Sequence, residues 1–239
     1  MPHGWPRHRD LGRRGLVDVL IIGTRTINVD VASFRKALAG APVKLLPSFN
    51  CFHAADGYHG DQSLDLLRGV FGNYLHQGAD GVGIFNNPAG SAEHARRLGL
   101  SQQANYDPEI LTTIGSLDTI SGKPRYYAID RRGGYAHNEG YGSSNNHAPL
   151  PVILRHDGAP STLTLPVWEP VKPGTEVTLR LVLFNHVEGD EVVAQLNNAA
   201  LKRGPNTLAL SVHRTGPFPP SRPVKVEKVE LHLKGEPSP

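Results

Sequence analysis

Leu16-Val17-Asp18-Val19-Leu20-Ile21-Ile22-Gly23 is a near-continuous apolar run that closes on a glycine. A run of this kind, without polar alternation, suits a strand buried on both faces of a parallel sheet. A polar stretch follows. Val31, Phe34 and Leu38 then stand at helical spacing, and Gly40 can stop the helix. The same order repeats twice. Val43-Lys44-Leu45-Leu46-Pro47-Ser48-Phe49 reads as a second strand. A helix over about 63–76 follows it, with Leu64, Leu67, Val70, Phe71, Tyr74 and Leu75 on one broad face and Asp61 or Ser63 as its N-cap. Gly81-Val82-Gly83-Ile84-Phe85-Asn86-Asn87 opens the third unit. Strands alternating with helices imply a parallel sheet with right-handed crossovers.

Further on, 108–114 reads as a short helix and 124–130 as a strand, and Gly133–Asn146 reads as a long loop rich in Gly, Ser, Asn and Tyr. After Pro149 the period changes to two. Alternating segments occupy 151–154, 161–167, 175–183, 191–196, 206–212 and 224–233. Turns such as Lys172-Pro173-Gly174 and Glu188-Gly189-Asp190 separate them. Short alternating strands at this spacing imply an antiparallel sandwich. The domain reading is a basic tail at 1–14, a β/α part at 15–146 and a β-sandwich at 147–235.

Bulk properties narrow the class. The chain has 239 residues, enough for a hydrophobic core, and a net charge of +3. Its one dense basic cluster (Arg7, His8, Arg9, Arg13, Arg14) reads as a solvated tail, so no nucleic-acid partner is expected. With Cys51 alone, no intramolecular disulfide can form, and its neighbours Phe49 and Phe52 favour a buried thiol. No window is apolar enough to span a membrane and no signal peptide is visible, so a soluble chain is expected.

Two sets of residues carry a family resemblance. Gly15–Leu20 with His76-Gln77-Gly78-Ala79-Asp80-Gly81-Val82-Gly83-Ile84-Phe85-Asn86 resembles the closing third of family-10-like glycoside hydrolases. The segments 177–181, 189–192, 201–208 and 226–231 are similar to the β-sandwich that such proteins carry at the C-terminus. The resemblance implies α/β plus all-β architecture: a partial, incomplete TIM-type β/α barrel followed by a small antiparallel β-sandwich. A closed barrel needs eight βα units, and about three precede the sandwich. The open sheet edges that result lead us to expect a homodimer. The resemblance also implies export.

In parallel β/α proteins the active groups gather where strands end. After the first strand come Thr24, Arg25, Thr26, Asn28 and Asp30. After the second come Asn50, His53, Asp56, Tyr58, His59 and Asp61, and after the third Asn86, Asn87, Glu93 and His94. None of the strand ends themselves offers a Glu and the nearest acids, Asp30, Asp56, Asp61 and Glu93, all stand in loops, so the facing carboxylate pair of a glycosidase is not evident. The loop 50–61 is the densest. Its His53 and His59 can act as bases near neutral pH, and Asp56 and Asp61 can activate water or hold a hard cation such as Ca²⁺. Asn50, Tyr58, Asn86, Asn87 and Arg25 would then contact substrate. The plainer reading of the loop is a cap at Asp61, a turn at Asp56-Gly57 and solvated histidines.

The first expectation is therefore a hydrolase derived from a glycoside-hydrolase-like barrel, its water activated by a loop carboxylate, a histidine or a bound cation. One alternative is hydrolysis of a small ester or lactone, such as a homoserine lactone, with Ca²⁺ assistance. The other is a non-catalytic carbohydrate-binding module that uses Trp168 and the tyrosines of the 133–141 connector.

Overall fold

The computed structural model describes residues 10–23, 26–38, 40–50, 63–85, 109–131, 148–155, 157–196, 201–214 and 223–235. The first strand, β1 (Val19–Ile22), is followed by α1 (Val31–Ala37), β2 (Lys44–Asn50), α2 (Leu64–His76) and β3 (Gly83–Phe85). The three strands form a parallel sheet in the order β1-β2-β3, with Ile22 opposite Pro47 and Asn50 opposite Phe85. Asp80 fixes the entry to β3. Its carboxylate accepts from Leu45 N (2.7 Å) and from the Arg35 guanidinium. The Asp80 N–H meanwhile donates to Leu45 O at 3.0 Å.

Two short helices, α3 (Glu109–Thr113) and α4 (Leu117–Ile120), lead to β4 (Arg125–Ala128). Here the barrel expectation fails. A fourth barrel strand would lie parallel to β3. Instead β4 pairs antiparallel with the last strand, β10 (Lys225–Leu233). The partial TIM-type barrel is therefore corrected. Among the described residues the parallel sheet stops at three strands, no barrel closes, and most strand pairing is antiparallel.

The remaining strands are β5 (Val152–Ile153), β6 (Ser161–Val167), β7 (Val177–Phe184), β8 (Asp190–Leu196) and β9 (Gly204–Arg214). β10 has β7 on one side and β4 and β5 in tandem on the other. A second sheet has the order β6-β9-β8. Both sheets contribute to one apolar core, which includes Leu163, Leu165, Leu208, Leu210, Val229 and Leu231.

The strand β4 is a wall shared by two cores. Tyr126 and Ala128 belong to the core of the parallel layer, whereas Tyr127 and Ile129, the residue just past the strand, belong to the antiparallel core. Successive side chains of a strand point to opposite faces, so four residues serve both sides. Helix α2 explains the fit on the parallel side. The sequence suggests one buried face, but every residue from Leu66 to Tyr74 is buried. The backbone of β4 reaches the helix because Gly69 lacks a Cβ. A Cβ built there would stand 1.9 Å from Tyr126 O.

The apolar run at β1 is also corrected. Val19 and Ile21 remain 45% and 65% exposed. The strand lies at the sheet's edge, and only Ile22 is buried. No described helix is long and apolar enough to cross a membrane.

Candidate functional site

The segment that leaves β1 alternates. Ile27 and Val29 are buried in the parallel-layer core, and Asn28 and Asp30 point the other way, into a cleft. Four contacts hold this stretch in place. Ile27 N donates to Asp130 Oδ1 at 3.1 Å, and the Thr26 hydroxyl donates to the other oxygen of the same carboxylate. Asn28 N donates to Thr26 Oγ1 (3.0 Å), and the Tyr74 hydroxyl donates to Thr26 O (3.1 Å). Asp130 follows β4 and is buried. A buried carboxylate is costly unless hydrogen-bonded, and these donors meet that need.

The opposite wall comes from the antiparallel layer. Asn73 on α2 ties the two walls together. Its Nδ2 donates to Pro166 O at 3.0 Å and its Oδ1 accepts from Trp168 N at 2.9 Å. The buried carboxamide thus continues the backbone pairing of β6 beyond the strand's end.

Between the walls lie two neighbouring cavities that share part of their lining. One, of about 200 Å³, is lined by Asn28, Asp30, Asn73, Gln77, Trp168 and Pro205, among others. The other, of about 460 Å³, is lined by Thr26, Ile129, Asp130, Pro149 and Thr164, among others. Asn28 and Pro166 line both.

The polar groups of the cleft fall into two sets. Asp130, Asn73 and Thr26 are engaged as above. Gln77 is engaged too: its Oε1 accepts from Ala32 N (3.3 Å) and its Nε2 donates to Asn73 O (3.1 Å). In contrast, the Asn28 carboxamide, the Trp168 indole N–H and the Thr164 hydroxyl have no hydrogen-bond partner among the described residues. Asp30 gives one oxygen to Ser33 N at 3.0 Å as the cap of α1 and keeps the other. The cleft therefore combines apolar platforms with a small number of unspent donors and acceptors, the usual make-up of a small-molecule site.

A second polar cluster lies at the junction of β4 and the end of β6. Glu169 accepts from Arg125 Nε at 2.7 Å, from the other arm of the same guanidinium, and from the Tyr127 hydroxyl. Burial opposes ionisation of Glu169. The bonds from Arg125 and Tyr127, with the Arg125 charge, outweigh it and hold the carboxyl below its usual range. Burial, with the Glu169 charge, raises the Tyr127 phenol. Burial lowers the nearby His76, which the Glu169 charge only partly offsets. Arg125 Nε and Nη2 and the Tyr127 hydroxyl are turned onto Glu169, while Arg125 Nη1 donates to Lys123 O, so the cluster works as a clamp between strands.

The residues expected from the sequence stand elsewhere. Asn50 ends β2, and the chain leaves β1, β2 and β3 from one edge of the parallel sheet. Arg25, His53, Asp56, Tyr58, His59, Asp61, Asn86 and Asn87 lie outside the described residues, as do Cys51 and the 133–141 connector. Among the described residues no three His, Cys, Asp or Glu side chains converge in a way that could hold a metal ion. The hydrolase expectation gains no support from the described residues. Asn28, Asp30 and Trp168 were legible as polar or aromatic residues in connecting segments. Asn73 and Asp130 were missed, although a polar residue within the apolar pattern of α2 is a local sign of Asn73.

The fold and the cleft together define a two-core protein with parallel and antiparallel layers and a ligand-sized space between them. No protein-family model, curated protein or solved structure matches the chain.

Proposed function

We propose that this chain is a carbohydrate-binding protein whose ligand lies in the cleft between its two cores. The observation that carries this reading is the meeting of the Asn28 carboxamide and the Trp168 indole in one cavity, both without hydrogen-bond partners among the described residues. A sugar ring presents an apolar C–H face and a rim of hydroxyls. An indole offers a flat apolar surface with one N–H donor. A carboxamide offers two donors and an acceptor, which suits neighbouring hydroxyls that both give and accept. The Asp30 oxygen that does not take the Ser33 N–H adds an acceptor on the same wall.

The chain has two tryptophans, Trp5 and Trp168. A Trp5→Phe background leaves Trp168 as the sole indole reporter. Titration with common hexoses, pentoses and their disaccharides, followed by tryptophan emission and calorimetry, should give saturable binding. Asn28→Ala should weaken it by about tenfold, the effect of one hydrogen bond to a ligand, with an unchanged melting curve. Absence of saturable binding across the panel would overturn the reading. An aryl-glycoside, ester or lactone turnover that ignores Asn28→Ala but falls with Asp56→Ala or His59→Ala would move the function to the sheet edge. Repeating it with EDTA and with added calcium would read any cation requirement.

A further inference from the structure

The cleft has two neighbouring lobes, and Asn28 and Pro166 line both. We infer that it takes a glycan of at least two rings, with the linkage lying across Asn28 and Pro166. This inference rests on the carbohydrate-binding reading above and specifies the ligand's length.

The smaller lobe, of about 200 Å³, carries Trp168 and Asp30. By itself it falls short of the roughly 300–1,000 Å³ that small-molecule sites occupy, whereas the larger lobe falls within that range alone, so the smaller one offers room for a further ring beside it. The larger lobe, of about 460 Å³, supplies another apolar surface in Pro149 and the shared Pro166. It also offers the exposed Thr164 hydroxyl, which has no partner among the described residues. Each lobe therefore repeats one scheme, a flat apolar surface beside an unspent polar group. Asn28 stands at the junction, where its donors and acceptor can reach hydroxyls of both rings.

The polar side chains below the junction do not compete for the ligand. Asp130 holds Thr26 and Ile27 N. Asn73 and Gln77 are bound into the wall itself. Specificity for a second ring therefore falls to Thr164 and the proline surfaces.

The test compares a monosaccharide with its own disaccharide, on the Trp5→Phe chain and on the same chain carrying Thr164→Phe. Thr164 is an exposed residue in the middle of β6, and phenylalanine is a good strand former, so a melting curve should show the variant folded. The disaccharide should bind about tenfold tighter than the monosaccharide, because the second lobe adds contacts of its own. Thr164→Phe fills that lobe. It should abolish the disaccharide's advantage, so that the two sugars bind alike. Equal affinity for the two sugars in the parent chain would overturn the two-lobe inference and leave the cleft reading standing, as would equal weakening of both by Thr164→Phe. Binding of neither sugar would overturn both.

Discussion

The two cores are built on different terms. In the antiparallel layer the strands run up to eleven residues, and alternate side chains of β6, β9 and β10 supply the core directly. In the parallel layer β1 and β3 are only four and three residues long, and β1 leaves Val19 and Ile21 in solvent. Its core is completed by a helix, α2, and by two residues of β4, a strand that belongs to the other layer. The antiparallel layer closes on itself, whereas the parallel layer closes on its neighbour. That difference places the cleft at the seam, where the walls come from separate sheets and the Asn28 carboxamide has no hydrogen-bond partner among the described residues.

The sharpest way to break the comparison is at the shared wall. In Gly69→Ala the new methyl meets the Tyr126 carbonyl oxygen at 1.9 Å and its carbon at 2.7 Å, both backbone atoms. Overpacking against backbone should cost about 3 kcal/mol, read as a lower urea midpoint. If the variant is as stable as the parent, β4 does not bear on α2 as described.

Next in size is the clamp. Glu169→Gln removes the charge that pairs with the buried Arg125 and should cost about 2 kcal/mol at neutral pH. Glu169 has its folded pKa below its ordinary 4.5. The stability it contributes is therefore present above about pH 4.5 and fades as pH falls through the folded value. The gap between parent and Glu169→Gln should narrow in acid. Urea unfolding at about pH 7 and about pH 3 measures it, and a gap that stays constant would remove the ionised carboxylate from the account.

The smallest expected effect on folding is at the open edge of the parallel layer. Leu16 and Ile21 are 56% and 65% exposed, and β1 has no described strand on its outer side. An apolar edge of this kind is a template for pairing with a second copy, so we propose a homodimer through it. Ile21→Lys should yield a monomer by light scattering while changing stability by no more than about 0.5 kcal/mol. A parent chain that runs as a monomer at tens of micromolar would end that proposal.

Much of the strand pattern was legible because it is local. The segment read as 161–167 is β6 residue for residue, and 191–196 and 224–233 differ from β8 and β10 by one residue at an end. The start of α2 was also readable, and of the two caps offered there, Asp61 or Ser63, the Ser63 side chain accepts from Leu66 N. The apolar run at β1 was misread. Its composition resembles that of a doubly buried strand, but burial depends on what covers each face, and Val19 and Ile21 have little over them. The barrel was misread at β4. Arg125-Tyr126-Tyr127-Ala128 carries no local mark that tells a parallel partner from an antiparallel one, and β10, more than ninety residues later, supplies the partner.

By itself, then, the sequence determined the period of each segment, and with it the alternating strands of the second layer, because side-chain alternation is a property of neighbouring residues. The tertiary structure decided that β4 faces two cores and that Asn28 and Trp168, distant in the chain, line one cavity. Those facts depend on which surfaces meet, and the meeting of α2 with β4 and β6 is set by close contact at Gly69 and by the bonds of Asn73.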